Sequence, residues 1–235
     1  MELQDAVAIV TGASRGIGAS IALRLARDAA RVVVAARDEK GLTHTLKVIT
    51  DAGGTGIAIP TDVTSESSVH QLVRRAMQEY GRIDILVNNA GVGMFKNVTE
   101  LDTVKYDAMM DVNLKGVFLC CKHVVPVMMN QRRGDIVNIA SLAGKNSFAG
   151  GAVYSASKWG VIGFSRSLML EVRDYNIRVI TIAPGSVNTG FGSSERNDQN
   201  IIQSEDVAET VSFAVTMPQR INVSEIDIRP TIKPR

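Results

Sequence analysis

The stretch that decides the fold is Thr11-Gly12-Ala13-Ser14-Arg15-Gly16-Ile17-Gly18, near the start of a chain of 235 residues. It follows a short apolar run and precedes a helical pattern, so it is predicted to be a strand-to-helix turn. Glycines in such a turn let a pyrophosphate approach the backbone, where the helix N-terminus supplies amide donors. The spacing is not Gly-x-Gly-x-x-Gly, and such a turn alone is a weak signal. Its position nevertheless favours a dinucleotide site over a purely structural turn.

Apolar runs alternate with helical patterns along the rest of the chain. The predicted strands are residues 6–10, 32–36, 57–59, 83–87, 136–140, 178–183 and 223–228. Their residues are continuously apolar, which is typical of parallel sheets covered on both faces. Repeated strand–helix–strand units therefore predict an α/β fold, a doubly wound seven-stranded parallel sheet with helices on both faces. We expect a single domain spanning residues 1–235.

Capping signals predict where several helices begin and end. Asp38 is expected to start the second helix, Ser204 the last long one, and Gly81 to close a helix in between. Residues 189–203 form the least regular stretch and follow a predicted strand, at the edge where ligands bind in such sheets. We interpret this stretch as a lid over the substrate, with an ordinary solvated connection as the alternative.

Composition excludes several classes of protein. The chain has 26 lysines and arginines and 24 acidic residues, so an overall electrostatic attraction to nucleic acid is not expected. Its two cysteines, Cys120 and Cys121, are adjacent, which excludes a disulfide framework and leaves no metal-ligand spacing. No signal peptide is visible, and no uninterrupted apolar run approaches the roughly 20 residues of a membrane span. We therefore expect a cytoplasmic protein that binds neither membrane nor nucleic acid.

The second predicted strand ends at the position that selects the dinucleotide. A carboxylate near this position usually holds the ribose 2′-hydroxyl of NAD. Here the position is Ala36, followed by Arg37, and Arg15 of the glycine turn can converge on the same point. Two guanidiniums suit a 2′-phosphate, because arginine binds phosphate oxygens bidentately. NADP(H) is therefore favoured over NAD(H), although Asp38 is a competing carboxylate.

Two further segments follow predicted strands at the same edge. Asp62 and Val63 follow the third strand and can hold an adenine, although Asp62 suits the start of the next helix equally well. Asn88-Asn89-Ala90-Gly91 follows the fourth strand, where two amides in a row need hydrogen-bond partners.

Four polar residues suggest an acid–base site. Tyr154 and Lys158 are four residues apart and share one face of a predicted helix. A phenol has a pKa of about 10, and a neighbouring ammonium favours its ionised form. Ser141 follows the fifth predicted strand and can hydrogen-bond a substrate carbonyl oxygen. The side-chain amide of Asn113 can hold a water beside Lys158.

The chain resembles single-domain members of the short-chain dehydrogenase/reductase superfamily, which have a Rossmann fold. The matching motifs are Thr11-Gly12-x3-Gly16-Ile17-Gly18, Asn88-Asn89-Ala90-Gly91, Asn113, Ser141, Tyr154-x3-Lys158 and Pro184-Gly185. The resemblance implies a catalytic tetrad of Asn113, Ser141, Tyr154 and Lys158. The implied cofactor-binding residues are Gly12, Ser14, Arg15, Gly16, Ile17, Gly18, Arg37, Asp62, Val63, Asn89, Ala90, Gly91, Tyr154, Lys158, Pro184, Gly185, Val187 and Thr189.

Within the superfamily, the chain is similar to 3-oxoacyl-acyl carrier protein reductases and to carbonyl reductases. These similarities imply a small ketone, alcohol or acyl thioester substrate and a homodimer or homotetramer. Two departures leave the substrate open. Of the two basic positions that dock the carrier protein, one aligns with Arg132 and the other falls on Tyr175. The terminal Gly-Gly pair is also missing. A 3-hydroxy acid dehydrogenase and a non-catalytic NADP(H)-sensing protein are the alternatives.

Overall fold

A seven-stranded parallel sheet forms the centre of the computed structural model, which describes residues 3–191 and 201–232. The strand order is β3-β2-β1-β4-β5-β6-β7, so the chain winds outward from β1 in both directions. The strands are β1 (Val7–Thr11), β2 (Arg31–Ala36), β3 (Thr55–Pro60), β4 (Ile85–Asn88), β5 (Gly134–Ile139), β6 (Ile177–Pro184) and β7 (Glu225–Ile228). The predicted fold class is therefore confirmed.

Helices cover both faces of this sheet. They are α1 (Gly16–Arg27), α2 (Glu39–Asp51), α3 (Glu66–Tyr80), α4 (Thr103–Met110), α5 (Gly116–Gln131), α6 (Ala152–Val172) and α7 (Ser204–Thr216). Alternate side chains of β1 enter different cores, because successive residues of a strand point to opposite faces. Val7 and Ile9 pack with α3, α5 and α6, whereas Ala8 and Val10 pack with α1, α2 and α7. Burial of both faces explains the continuous apolar runs.

The predicted strands differ from the observed ones by one or two residues at their ends. Ile83 shows why the ends were misplaced. It is fully buried and apolar, as a strand residue would be, yet β4 begins only at Ile85. The backbone N–H of Ile83 donates to the side-chain oxygen of Gln131 at 3.0 Å. Ile83 is therefore buried without belonging to the sheet, and a hydrophobic pattern in the sequence indicates burial but not strand pairing.

The predicted helix boundaries are largely confirmed. The Asp38 carboxylate accepts from the Gly41 N–H at the start of α2, and Gly81 closes α3 with a φ of 73°. Helix α7 begins at Ser204, but its cap is Gln203, paired with Asp206 in a capping box. After α1, Ala29 takes a φ of 67° where a glycine would be unstrained.

Among the described residues, one helical stretch, Thr103–Gln131, is long and apolar enough to cross a membrane by length and composition, and half of its most apolar window is buried. Helix α5 supplies the buried part, which packs against the sheet with α3 and α6. Cys120 and Cys121 lie in this core, and burial raises the pKa of the Cys120 thiol to about 12. Within the described residues, no three His, Cys, Asp or Glu side chains are grouped to hold a metal.

Candidate active site

A cleft of about 1220 Å³ follows the carboxyl ends of the strands. It is lined by the glycine turn after β1, by residues 36–38 after β2, and by the segments after β3, β4, β5 and β6. All of the site residues predicted from sequence line this cleft except Gly18 and Asn113, which lie directly behind its wall. Parallel strands bring their carboxyl ends to one edge, which explains why these distant segments meet.

The glycine turn packs tightly against the segment after β4. Gly12 has a φ of 65°, and a β-carbon there would lie 2.8 Å from the α-carbon of Ala90. A β-carbon on Gly18 would lie 2.3 Å from the Gly12 carbonyl oxygen. The Asn89 side-chain amide donates to the carbonyl oxygens of Thr11 and Gly12, at 3.0 and 3.2 Å. The glycines therefore leave a shallow backbone surface that the Asn89 amide holds in place.

Helix α1 begins at this turn without a side-chain cap, although Asp38, Ser65 and Asp102 cap α2, α3 and α4. Its first backbone N–H groups therefore face the cleft without a side-chain acceptor, at the positive end of the helix dipole. These donors and the absence of β-carbons on the turn fit the pyrophosphate of a dinucleotide. The residues present are thus suited to the predicted cofactor.

Basic and acidic side chains surround the end of β2. Arg15 and Arg37 are exposed at the cleft, and neither forms an ion pair in the part of the chain that the structure describes. Asp38 is used as the cap of α2, with its carboxylate 3.1 Å from the Gly41 nitrogen. The competing carboxylate is therefore already bound to backbone, whereas both guanidiniums are available to a ligand.

Asp62 lies at the cleft and does not cap the following helix, because α3 begins at Glu66 with Ser65 as its cap. The Asp62 carboxylate accepts from the backbone N–H of Thr64 at 2.9 Å and from the Thr64 hydroxyl at 2.8 Å. Partial burial raises the pKa of this carboxyl, but these bonds and the nearby Arg37 outweigh it and leave the pKa lowered. The suggested role at the start of the next helix is therefore wrong.

Tyr154, Lys158 and Ser141 form a polar group in the wall of the cleft. Tyr154 and Lys158 lie on α6 and are 8% and 5% exposed. Burial raises the pKa of the Tyr154 phenol, while a hydrogen bond with Ser141 opposes that rise. Burial also lowers the pKa of Lys158 to about 8. The Lys158 ammonium donates to the Ile139 carbonyl oxygen at 2.9 Å and lies 6.0 Å from the centre of the Tyr154 ring.

Asn113 lies on a π-helical turn, Asp111–Lys115, between α4 and α5. Its amide nitrogen donates to the Val92 carbonyl at 2.9 Å and to the Ser157 hydroxyl at 3.0 Å, while its oxygen accepts from the Val92 N–H at 2.8 Å. Ser157 in turn donates to the Tyr154 carbonyl at 2.7 Å. Both hydrogens of the amide are therefore used, its oxygen keeps one lone pair that can accept from the water predicted beside Lys158, and the side chain connects the segment after β4 to α6.

The remaining predicted residues form the opposite wall. The Ser141 hydroxyl is 3.5 Å from the Pro184 carbonyl oxygen, and the Gly185 N–H donates to Ile228 at 2.9 Å. Val187 forms a β-bridge with Ile202, which ties together the two ends of the predicted lid. Residues 192–200 of the predicted lid, 189–203, lie outside the described residues.

The cleft-lining residues that the sequence analysis did not single out include three phenylalanines, Phe95, Phe148 and Phe191, the last of which lies within the predicted lid. The Phe95 and Phe191 rings contact the Tyr154 ring, and the Phe148 ring contacts that of Phe95. They lie in three separate loops with no common spacing, so no sequence pattern distinguishes them from other exposed aromatic residues.

Comparison with known proteins is consistent with this geometry. A family model described as short chain dehydrogenase matches residues 6–200. An uncharacterized oxidoreductase of Staphylococcus saprophyticus is 40% identical over 232 residues, covering 98% of this chain and 99% of that protein. A metagenomic short-chain oxidoreductase solved in complex with NADP is 39% identical with a TM-score of 0.89, covering 99% of this chain and 100% of that one. A variant of actinorhodin polyketide ketoreductase solved with NADPH is 33% identical with a TM-score of 0.89, covering 96% of both chains.

Proposed function

Because the chain belongs to the short-chain dehydrogenase family, it is an oxidoreductase that binds a nicotinamide cofactor, and we propose that it reduces a ketone to a secondary alcohol with NADPH. The observation that carries this proposal is the group formed by Ser141, Tyr154 and Lys158. A phenol hydrogen-bonded to a serine lies beside a buried lysine in the wall of a cleft fitted for a dinucleotide. We also propose that the enzyme is a cytoplasmic homodimer or homotetramer.

In the proposed reaction, the chain's own residues orient the carbonyl and supply a proton. The chemistry that a bound NADPH supplies is a hydride for the carbonyl carbon. Ser141 and Tyr154 hydrogen-bond the carbonyl oxygen, and Tyr154 donates its phenolic proton to the alkoxide that develops there. The Lys158 ammonium stabilises the phenolate that remains. The hydrogen bonds of Asn113 hold the backbone around Tyr154, which makes Asn113 a positioning residue.

The preference for NADP(H) is supported by the two guanidiniums near the end of β2. Arg15 and Arg37 are exposed at the cleft without ion-pair partners among the described residues, and the position of the usual carboxylate is Ala36. A 2′-phosphate would gain charge-assisted hydrogen bonds from both arginines, which a 2′-hydroxyl does not.

Loss of the phenolic proton tests the proposed chemistry. Tyr154→Phe should lower kcat for ketone reduction by roughly 10²- to 10⁴-fold, the usual contribution of a general acid. NADPH binding should change little, since the ring remains. The measurement is NADPH oxidation with a panel containing an acetoacetyl thioester, a 3-oxo ester and an aryl ketone. Retention of more than half of the wild-type kcat would remove Tyr154 from the reaction.

The cofactor preference is tested separately. Arg37→Ala should raise KM for NADPH by about tenfold, because one charge-assisted hydrogen bond to the phosphate is lost. KM for NADH should stay nearly constant, since NADH lacks that phosphate. A matched control is Arg166→Ala, which removes an exposed arginine that does not line the cleft. Equal changes in KM for both cofactors would disprove the 2′-phosphate interpretation.

A further inference from the structure

Three phenylalanine rings lie in a connected group with Tyr154, two of them against its ring, and we call Phe95, Phe148 and Phe191 the phenylalanine cluster. The Phe95 ring meets the Tyr154 ring edge to face, with their centres 5.3 Å apart, and lies 5.7 Å from the Phe148 ring. The Phe191 ring also lies beside Tyr154, with its centre 6.0 Å from that of the Tyr154 ring. The chain has only six phenylalanines, so half of them belong to this one group beside the proposed acid–base residues.

Two glycines provide the room for these rings. A β-carbon on Gly93 would lie 2.5 Å from the Phe191 ring and 3.1 Å from the Phe95 ring. A β-carbon on Gly151 would lie 2.2 Å from the Phe148 ring. The rings therefore occupy space that a side chain at either glycine position would fill.

The cluster is apolar but only partly covered. Phe95, Phe148 and Phe191 are 44%, 45% and 44% exposed, although the Tyr154 ring that Phe95 and Phe191 contact is buried. All three line the cleft, so the uncovered faces of the rings are turned toward space that a ligand can fill. Contiguous apolar surface inside a cleft is typical of a binding site, because a ligand that covers it releases water from the rings.

The charged groups of the cleft lie elsewhere. Among the described lining residues they are Arg15, Arg37, Asp38, Asp62, Lys158 and Arg229. The first four surround the ends of β2 and β3, and Lys158 is buried behind Tyr154. Arg229 lies next to Pro230, which packs beside Gly185, and its guanidinium is 3.4 Å from the Asp227 carboxylate. Among the described residues that line the cleft, therefore, no unpaired cation lies beside the cluster to neutralise an acidic substrate.

We propose that the phenylalanine cluster makes this enzyme selective for uncharged ketones that carry an aromatic ring one methylene away from the reacting carbonyl. The aromatic ring of the substrate would stack against the cluster, while the carbonyl oxygen of the substrate would lie at Ser141 and Tyr154. Aromatic pairs gain free energy beyond the area they bury, so a phenyl group is preferred over a saturated ring of equal size. This inference rests on the proposed reductase function.

The test compares 1-phenyl-2-propanone with 1-cyclohexyl-2-propanone, whose carbonyl groups have similar intrinsic reactivity. In the wild-type enzyme, kcat/KM with NADPH should be about fivefold higher for the phenyl compound. Adding a para-carboxylate to the phenyl ring should lower kcat/KM at least about tenfold, because its charge would be buried without a partner. A wild-type preference for the cyclohexyl or the carboxylated ketone would overturn the proposal.

Variants assign the preference to the cluster. Phe148→Leu and Phe95→Leu should each bring the phenyl-to-cyclohexyl ratio of kcat/KM close to one. Phe191→Leu provides a third measurement if either variant fails to fold. The matched control, Phe213→Leu, changes an exposed phenylalanine on α7 outside the cleft and should leave the ratio unchanged. An unchanged ratio in every folded cluster variant would overturn the proposal.

The failure of the proposed function gives a different result. If NADPH binds but neither ketone is reduced, the reductase proposal fails, and the cluster is then tested by binding alone. With NADP⁺ present, 1-phenyl-2-propanol should raise the melting temperature at lower concentration than its cyclohexyl analogue does. Equal effects of the two alcohols would overturn the aromatic preference as well.

Discussion

A buried cation lies near each end of β5: Arg178 of β6 at the amino end and Lys158 of α6 at the carboxyl end. The two differ in whether a carboxylate neutralises them. At the amino end, Arg178 forms a bidentate pair with Asp135, with N–O distances of 2.6 and 2.7 Å. Its guanidinium also donates to the carbonyl oxygens of Val215, Met217 and Ile221. At the carboxyl end, Lys158 donates to the Ile139 carbonyl and forms no ion pair with a described carboxylate.

This difference in pairing suits Arg178 to a structural role and Lys158 to the proposed role in catalysis. Full pairing satisfies the Arg178 guanidinium and holds the chain after α7 against the sheet, since Met217 and Ile221 belong to that connection. Lys158 is buried without a neutralising partner, which is why its pKa falls to about 8. An ammonium left unpaired can act on the neighbouring phenol, whereas a carboxylate partner would cancel its charge.

The largest effect on stability is expected when Asp135 loses its partner. Arg178→Met should lower the free energy of unfolding by about 3–5 kcal/mol, because a buried carboxylate and several carbonyl oxygens lose their donor. Urea denaturation of the cofactor-free protein measures this loss. The control Arg166→Met removes an exposed arginine paired with Glu225, and it should cost less than about 1 kcal/mol. Similar losses in both variants would mean that burial of the pair is unimportant.

The opposite effect on stability is expected at Lys158. Lys158→Met should raise the free energy of unfolding at pH 7 by roughly 2 kcal/mol, because the cost of burying an unpaired charge exceeds one lost hydrogen bond. Ketone reduction should fall to near the Tyr154→Phe level. The two assays are urea denaturation and NADPH oxidation. A variant that is less stable than the wild type would show that the ammonium is stabilising.

The pH dependence of stability tests independently whether the buried Lys158 charge is destabilising. The pKa of Lys158 is lower in the folded state than the ordinary value of 10.5, so the unfolded chain holds more protons between about pH 8 and pH 10.5. The contribution of Lys158 therefore raises stability as pH increases through that interval. The wild type should be less stable than Lys158→Met at pH 7, and most of this difference in the free energy of unfolding should disappear by pH 10.

The smallest expected effect is on the rate of reduction. Since Lys158 loses its charge above about pH 8, kcat/KM for ketone reduction should fall about tenfold between pH 7 and pH 9. Tyr154 remains protonated over this range, because its pKa is raised by burial. Lys158→Arg keeps a permanent charge, so its profile should be flat at a lower absolute rate. A flat wild-type profile would mean that the ammonium is not needed in its charged form.

Much of the fold and of the cofactor site was predictable because the relevant signals are local. The glycine turn, the continuous strands and the i, i+4 spacing of Tyr154 and Lys158 are each read within a few residues. Asp38 and Gly81 were placed correctly at helix ends, since caps depend on the backbone of one turn. Parallel strand order then placed the predicted site residues at or directly behind one cleft.

Other features required the tertiary structure, because they depend on what distant segments bring to a residue. The Asn113 amide is predictable as a polar group, but its bonds to Val92 and Ser157 exist only where the π-helical turn meets α6. Phe95, Phe148 and Phe191 are unremarkable in sequence and become a cluster only after folding. The sequence by itself determined the sheet, the dinucleotide turn and the acid–base pair. Only the tertiary structure decided that Arg178 is neutralised while Lys158 is not, since burial and pairing are properties of the surroundings.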